Sequence, residues 1–356
     1  MLATLFLATA CVGIAQPEGW AGPTLADDRL VASIGRGELA AIEIEDSSGN
    51  VLWHFPPKDQ KHPDGSKIDP EAIYSTPVVA DGTVYFGAYE GWVYALDLET
   101  GDIRWQVETG GPIIGSAIVQ DGMVYVGSDD GKLYAFDAET GDLQWLFKSG
   151  DSIWATPLVA DGVVYAASMD KKAYALNAAS GEEKWHFKAK AGLASTPVLA
   201  DGTLLVGGLD SRIRALDAAS GEEKWQFKAD DWFWTQPLVL EDSVYAGCLD
   251  GKVYALDVND GSPKWEQPFD TEAPVRAAPV LLDDVLLVVN RKGKLYGLDP
   301  QNGQLVWPLP IDLAKTVLSD PLAQGAMAYI SAQGGDLFTV DKDGRAAPVV
   351  LTESGG

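Results

Sequence analysis

A tryptophan recurs along this chain of 356 residues at nearly constant spacing. Successive members lie 52, 40, 40, 40, 40 and 42 residues apart, and the set is Trp53, Trp105, Trp145, Trp185, Trp225, Trp265 and Trp307. Self-similarity with a period of roughly 20–50 residues is typical of solenoids, propellers and other repeat arrays. The spacing therefore predicts that most of the chain consists of copies of one structural unit.

A proline, replaced once by alanine, marks the same phase in every copy and raises the number of copies to eight. The marks are Pro23, Pro77, Ala117, Pro157, Pro197, Pro237, Pro279 and Pro321. The tryptophan stands 28 residues after the mark in copies two to seven and 30 residues after it in copy one. Copy eight has Val349 at this position, so we expect a degenerate cap, as terminal repeats often are.

Each copy contains four short runs of β-branched and aromatic residues, separated by turn residues such as Asp161-Gly162. The pattern predicts a four-stranded antiparallel meander. Eight meanders without a helical pattern between them predict an all-β, eight-bladed β-propeller over residues 19–352, with a tail at 353–356. We expect the recurring tryptophan to lie on the outermost strand and to dock against the adjacent blade.

The string from Tyr134 to Trp145, Tyr-Ala-Phe-Asp-Ala-Glu-Thr-Gly-Asp-Leu-Gln-Trp, resembles the pyrroloquinoline-quinone (PQQ)-type propeller repeat. Its mark is Ala-x-Asp-x-x-x-Gly-x-x-x-Trp, and the resemblance extends from residue 20 to about residue 351. Two groups with this repeat matter here: the quinoprotein dehydrogenases and the BamB-type lipoproteins, which are non-catalytic scaffolds of outer-membrane protein assembly. A fold of this kind does not by itself define a function.

The resemblance to the second group is the better one. Quinoprotein alcohol dehydrogenases have an adjacent cysteine pair in the cofactor site, whereas the two cysteines of this chain are Cys11 and Cys248. The BamB-type resemblance implies a scaffold with no cofactor and no catalytic or metal-binding residues. Cys248 falls at a column of small residues in the repeat, so we expect a buried, unreactive thiol.

Residues 1–18 form the remnant of an export signal and a linker. Residues 1–10 are mostly apolar and end in small residues before Cys11, which resembles the lipidation site of a bacterial lipoprotein. Position −3 is Ala8 and no Lys or Arg precedes the apolar run, so we expect a start codon further upstream. Cleavage after Ala15, giving a secreted protein, and a cytoplasmic protein are the alternatives.

The formal net charge of −26 excludes some classes of partner. A surface this acidic repels phosphate backbones and anionic headgroups, which argues against binding to nucleic acid or to a membrane surface. It favours solubility or a basic partner.

The residue three positions before each phase mark varies in type and is predicted to ring the mouth of the central channel. Around the ring this column reads Trp20, Tyr74, Ile114, Trp154, Ala194, Trp234, Arg276 and Leu318, and Trp232 and Phe233 extend the aromatic group. Two interpretations remain open. The aromatic residues and Arg276 form a funnel that binds a peptide, a sugar or a flat ligand, or they pack on one another and plug the channel.

Other candidate sites are weaker. Residues 56–70 form the one sizeable insertion, which predicts a surface loop that either contributes contacts or is simply solvated. The acidic turns at Asp129-Asp130 and Asp283-Asp284 could suggest a calcium site, but they lack the spacing of an EF-hand loop. The three histidines, His54, His62 and His186, fall at unrelated phases of the repeat and are expected to be surface or packing residues.

These observations predict an exported, membrane-anchored, monomeric propeller that binds a protein partner without catalysing a reaction, by analogy in outer-membrane protein assembly. A second hypothesis is a propeller that binds a small ligand or acts as a quinone-dependent oxidoreductase. A third is a carbohydrate-binding module at the cell surface.

Overall fold

The computed structural model describes residues 19–26, 28–45 and 48–353 and confirms the eight-bladed β-propeller. Its strands form eight sheets, each containing a four-stranded antiparallel meander with the strands in sequence order. Innermost strands of most neighbouring blades contact each other, and the ring closes where β1 of blade one meets β29 of blade eight. Within these described residues, no helix has the length and apolarity needed to cross a membrane.

Each blade runs from an innermost strand of three residues to an outermost strand at the rim. Blades one to four comprise β1 Thr24–Ala26, β2 Arg29–Gly35, β3 Glu38–Glu45, β4 Ser48–Phe55; β5 Val78–Ala80, β6 Thr83–Gly87, β7 Trp92–Asp97, β8 Ile103–Glu108; β9 Ile118–Gln120, β10 Met123–Gly127, β11 Lys132–Asp137, β12 Leu143–Lys148; β13 Leu158–Ala160, β14 Val163–Ala167, β15 Lys172–Asn177 and β16 Glu183–Lys188.

Blades five to eight follow the same plan, although their outer strands become short after blade five. They comprise β17 Val198–Ala200, β18 Thr203–Gly207, β19 Arg212–Asp217, β20 Glu223–Lys228; β21 Leu238–Leu240, β22 Ser243–Gly247, β23 Lys252–Asp257, β24 Phe269–Asp270; β25 Val280–Leu282, β26 Val285–Val289, β27 Lys294–Leu298, β28 Ile311–Asp312; β29 Leu322–Gln324, β30 Met327–Ser331, β31 Leu337–Asp341, β32 Ala346–Pro348 and finally β33 Val350–Glu353.

The recurring tryptophans join each blade to the next. Every indole Nε1 donates a hydrogen bond of 2.8–3.1 Å to a backbone carbonyl of the next blade. The acceptor belongs to the residue that follows the aspartate of the repeat mark, or the asparagine that replaces this aspartate in blade four. In blades two, three, four and six a tyrosine hydroxyl from the second strand donates to the same carbonyl. The indole therefore buries apolar area at the interface and satisfies a backbone acceptor there.

A glycine in the third turn of the next blade makes room for the indole. Gly221 has φ +76°, and a Cβ atom built on it would lie 2.6 Å from Cε3 of Trp185. Side chains larger than hydrogen are thus disfavoured twice, by the backbone conformation and by the ring. The repeat requires both residues because the indole occupies the space that a side chain at the glycine position would need.

Gly221→Ala should therefore be more destabilising than an equivalent change at an open turn. Gly202 is the matched control, because it has φ +70° and a Cβ atom added to it would have no heavy atom within 4 Å. We expect Gly202→Ala to cost about 1–2 kcal/mol from the left-handed backbone alone. Gly221→Ala should cost about 1–3 kcal/mol more from overpacking. Urea unfolding of both variants measures the difference, and equal midpoints would contradict the packing role.

The ring closes differently from the predicted propeller over residues 19–352, in which blade eight would end with its own outermost strand. Blade eight ends at Pro348, and β33 crosses to blade one, where it pairs in parallel with β4. Val349, in place of the missing tryptophan, packs in a cluster with Ile42 and Val51, beside Gly49. The two ends of the described chain thus share a five-stranded sheet that seals the contact between blades one and eight.

Removing β33 should weaken this closure. A chain ending at Pro348 loses the burial of Val349 and Leu351, for which we expect a loss of about 2–4 kcal/mol and a lower melting temperature. A chain ending at Glu353 is the control and should melt like the full chain. If both truncations melt together with the full chain, β33 does not stabilise the ring.

The insertion at residues 56–70 packs on blade two. The Gln60 side chain accepts a hydrogen bond from the backbone N–H of Ile103 at 3.0 Å, and His62 Nδ1 lies 2.8 Å from Gln106 Oε1. The His62 ring is buried and stacks on Trp92, with the centroids 4.2 Å apart. The insertion therefore covers the outer edge of this blade, and His62 is a packing residue.

Candidate functional site at the channel mouth

The structure brings the variable column together at one place. All eight residues line a single cavity of about 90 Å³ at the mouth of the central channel: Trp20, Tyr74, Ile114, Trp154, Ala194, Trp234, Arg276 and Leu318. The residues on either side of the column are buried in the blades, as Ile73 and Ser75 are around Tyr74. The column residue between them faces the channel instead.

Arg276 is held between two tryptophan rings. Its guanidinium carbon lies 4.2 Å from the ring centroid of Trp20 and 4.7 Å from that of Trp234. A cation placed over an indole face is attracted by the ring electrons, and the attraction is stronger where water is excluded. The Trp20–Arg276–Trp234 stack thus crosses the channel mouth and occupies much of it.

Further aromatic contacts hold the stack from both ends. Tyr74 packs on Trp20 with the ring centroids 4.1 Å apart, and Trp154 lies 6.2 Å from Trp234. Trp154 Nε1 also donates a hydrogen bond of 2.6 Å to Asp129 Oδ1. These contacts fix the rings in place, so the geometry favours the plug over the open funnel.

A belt of hydroxyl groups joins neighbouring blades. Its side chains stand two residues after the column positions in the chain. The amides of Gly22, Thr76 and Ser116 donate to the side-chain oxygens of Thr76, Ser116 and Thr156 in the following blades, at 2.8–3.0 Å. This role was not predicted from the sequence, although the threonine or serine before several phase marks was a visible signal. The belt stiffens the channel wall beside the aromatic stack.

Asp320 completes the belt in blade eight. Its Oδ1 accepts hydrogen bonds from the Ala278 amide at 2.6 Å and from Thr235 Oγ1 at 3.4 Å. Protein surrounds the carboxyl closely, which raises its pKa, while the Ala278 amide and the Arg276 charge act in the opposite direction. Solvent in the channel still reaches this side chain.

Trp232 and Phe233 do not join the cavity lining. Successive residues of an extended segment alternate in direction, so Phe233 enters the core beside Tyr254 while Trp234 faces the channel. Trp232 is half-buried and lies apart from the cavity. Of the predicted aromatic group, Trp20, Tyr74, Trp154 and Trp234 therefore come together with Arg276.

The remaining candidates lie in separate places. His54 Nε2 is 3.1 Å from Glu353 Oε2, and His186 Nδ1 is 2.7 Å from Glu183 Oε1. The Cys248 thiol is buried, which raises its pKa to about 12 and keeps it protonated. Within the described ranges no three His, Cys, Asp or Glu side chains are grouped so that they could hold a metal ion. Cys11 lies outside the described residues.

This protein is thus an eight-bladed propeller of the PQQ-repeat class, and its own side chains fill the channel mouth. The chain belongs to the family described as "Outer membrane protein assembly factor BamB", whose model matches in five overlapping segments, residues 13–118, 35–152, 89–196, 174–316 and 277–354.

Curated relatives match over short stretches. The serine/threonine-protein kinase AfsK of Streptomyces griseus is 38% identical over 68 positions, which cover 19% of this chain and 8% of the kinase. The outer membrane protein assembly factors BamB of Yersinia pestis and Escherichia coli are 33% and 32% identical over 93 positions. Those matches cover 26% of this chain and 23% of each relative.

Solved structures share the fold over most of the chain. BamB from Moraxella catarrhalis superposes with a TM-score of 0.74 at 19% identity, over 89% of this chain and 95% of that protein. The quinohemoprotein alcohol dehydrogenase ADHIIG of Pseudomonas putida superposes with a TM-score of 0.68 at 16% identity, over 92% and 70%. Identities this low establish the common fold alone.

The PQQ-type repeat and the dehydrogenase likeness raise the question of a quinone cofactor, and the residues at the channel mouth do not fit one. Small-molecule sites usually measure about 300–1,000 Å³, whereas this cavity is about 90 Å³. The indole faces that could stack on a flat ring system are covered by Arg276, Tyr74 and Trp154.

Purified protein mixed with pyrroloquinoline quinone and calcium should therefore retain no bound chromophore after gel filtration. It should also show no dye-linked oxidation of alcohols. A bound chromophore in the absorption spectrum would contradict the closed channel mouth. Trp234→Ala removes one side of the stack and shows whether the native rings are what excludes the ligand.

Proposed function

We propose that this chain is a non-catalytic, protein-binding scaffold of an extracytoplasmic compartment, acting in the assembly of outer-membrane proteins. The observation that carries the proposal is the family match, which extends over residues 13–354. The Trp20–Arg276–Trp234 stack supports it, because a filled channel mouth leaves little room for a substrate. The partner and the location are inferred by analogy with the named relatives.

The scaffold would act through its outer surface. The tryptophan contacts make the ring rigid, and the outermost strands of several blades present backbone groups at the rim. Exposed strand edges bind extended peptides by adding a strand to the sheet. A rigid ring with open edges can therefore hold a partner protein or an unfolded client in a fixed position.

We further propose that Cys11 is lipidated and anchors the propeller to a membrane. The support is the apolar run before Cys11 and its resemblance to lipoprotein signals. The anchor would keep the acidic propeller close to a membrane that its surface charge alone does not attract.

A sugar-binding role is less well supported by the channel mouth. Sugar rings stack on open aromatic faces, but Trp20 contacts Arg276 and Tyr74, and Trp234 contacts Arg276 and Trp154. No specific observation favours this function over the scaffold.

In-cell crosslinking followed by pull-down from membranes tests the proposal. We expect the native chain to recover the outer-membrane assembly machinery from the membrane fraction. Cys11→Ser, a change outside the described residues, should move the protein to the soluble fraction.

The two outcomes are independent of each other. Failure to recover the machinery would contradict the assembly role, whereas membrane association of the Cys11→Ser variant would contradict the lipid anchor.

A further inference from the structure

Three consecutive blades leave a regular outer edge open. The strands β12, β16 and β20 have six residues each, and no described strand pairs with their outer sides. The other edges are covered or short: β33 pairs with β4, the insertion contacts β8, and β24, β28 and β32 have two or three residues. The open edges of blades three, four and five are thus exceptions on this rim.

The open edge of blade four carries a row of basic side chains. Lys184, His186 and Lys188 occupy alternate positions of β16 and are exposed. Alternate residues of a strand project to the same side. The pairing with β15 has a bulge at Lys184, but the exposure of these three residues alternates with the half-buried residues between them, so they form one row along the edge. The corresponding rows have a single lysine in β12, Lys148, and two lysines in β20, Lys224 and Lys228.

More positive charge surrounds this row. Lys171 and Lys190 are exposed, and Lys172 lies directly opposite Lys188 in the sheet. Like charges directly opposite each other destabilise a strand pair. Blades three and five share this like-charge pairing, Lys132 with Lys148 and Arg212 with Lys228. Blades six and seven instead have a compensating acid at this position, because Lys252 faces Asp270 and Lys294 faces Asp312.

The lysines of blade four also lack the ion pairs that neutralise lysines elsewhere. Lys132 pairs with Asp130 at 2.7 Å, Lys252 with Asp230 at 3.2 Å and Lys294 with Glu272 at 2.9 Å. No described carboxylate lies within 4.0 Å of the ammonium groups of Lys171, Lys172, Lys184, Lys188 or Lys190.

Two of the nearby acids of blade four have other partners. Glu183 contacts His186, and Asp170 accepts a hydrogen bond from Tyr174 and another from the amide of Gly150. On a chain with a net charge of −26, the five lysines of this edge are therefore a local concentration of positive charge without ion pairs.

We propose that the outer edge of blade four binds an extended acidic segment of a partner protein, which adds to β16 as a fifth strand. Acidic residues at alternate positions of that segment would face Lys184, His186 and Lys188. Blade one shows that this fold accepts a fifth strand at its rim, because β33 pairs with β4 there. The proposal rests on the proposed scaffold function and names the chemistry of the partner.

The basic row is expected to have two effects, one on other copies of this chain and one on the partner strand. Lysines on an open edge repel the same edge of another copy, which hinders aggregation through the strands. They also attract an acidic strand and align its register, since cross-strand pairs of opposite charge are stabilising.

Fluorescence anisotropy with a labelled peptide of alternating Glu and Thr residues, about as long as β16, tests the proposal. We expect the triple variant Lys184→Gln, Lys188→Gln, Lys190→Gln to bind this peptide about tenfold more weakly at low ionic strength. The control Lys252→Gln, Lys264→Gln, Lys294→Gln removes the same charge from blades six and seven and should bind like the native chain. Hydrogen exchange should slow at residues 183–188 when the peptide binds.

Three results would overturn the proposal: equal binding by the two triple variants, binding without protection of residues 183–188, or binding of phosphatidylglycerol vesicles in place of the peptide. None of them bears on the recovery of the outer-membrane assembly machinery by crosslinking. Failure of the acidic-strand proposal is therefore distinguishable from failure of the scaffold function.

Discussion

The hydrogen bond from each recurring indole to the next blade is the contact on which the rest of the structure depends. It fixes a polar group at a particular carbonyl and places a large apolar ring on a glycine, so neighbouring blades meet in one orientation. Blade eight has no tryptophan, and the parallel pairing of β33 with β4 replaces it. A ring closed in this way holds its channel and its rim in fixed positions.

A rigid ring determines what its centre and its rim can do. The innermost strands bring eight variable residues within reach of one another, and here they include aromatics and one arginine that stack together. The centre is thereby filled by the protein's own side chains. We therefore expect partner binding at the rim, where the outer edges of blades three to five are open and the outer strand of blade four carries basic side chains.

Periodicity made most of the fold predictable, because turn residues, tryptophans and phase marks repeat with the blades. The channel column was predictable for the same reason, since a fixed phase places its members at one level of the ring. The crossing of β33 was not, because by phase residues 350–353 correspond to the end of an outermost strand, yet they pair with a strand about 300 residues away. The sequence grouped Trp232 and Phe233 with Trp234, but only Trp234 lines the cavity, because alternation along the chain directs Phe233 into the core and Trp232 lies apart from the cavity.

Site-specific photocrosslinking in living cells tests most directly whether this propeller acts through its rim. A photoreactive residue would replace His186 on the edge of blade four or, in a separate variant, Ile114 at the channel mouth. We expect crosslinks to a partner protein from position 186 and none from position 114. Crosslinks from position 114 alone would contradict a role of the rim and would indicate that the partner binds at the channel mouth.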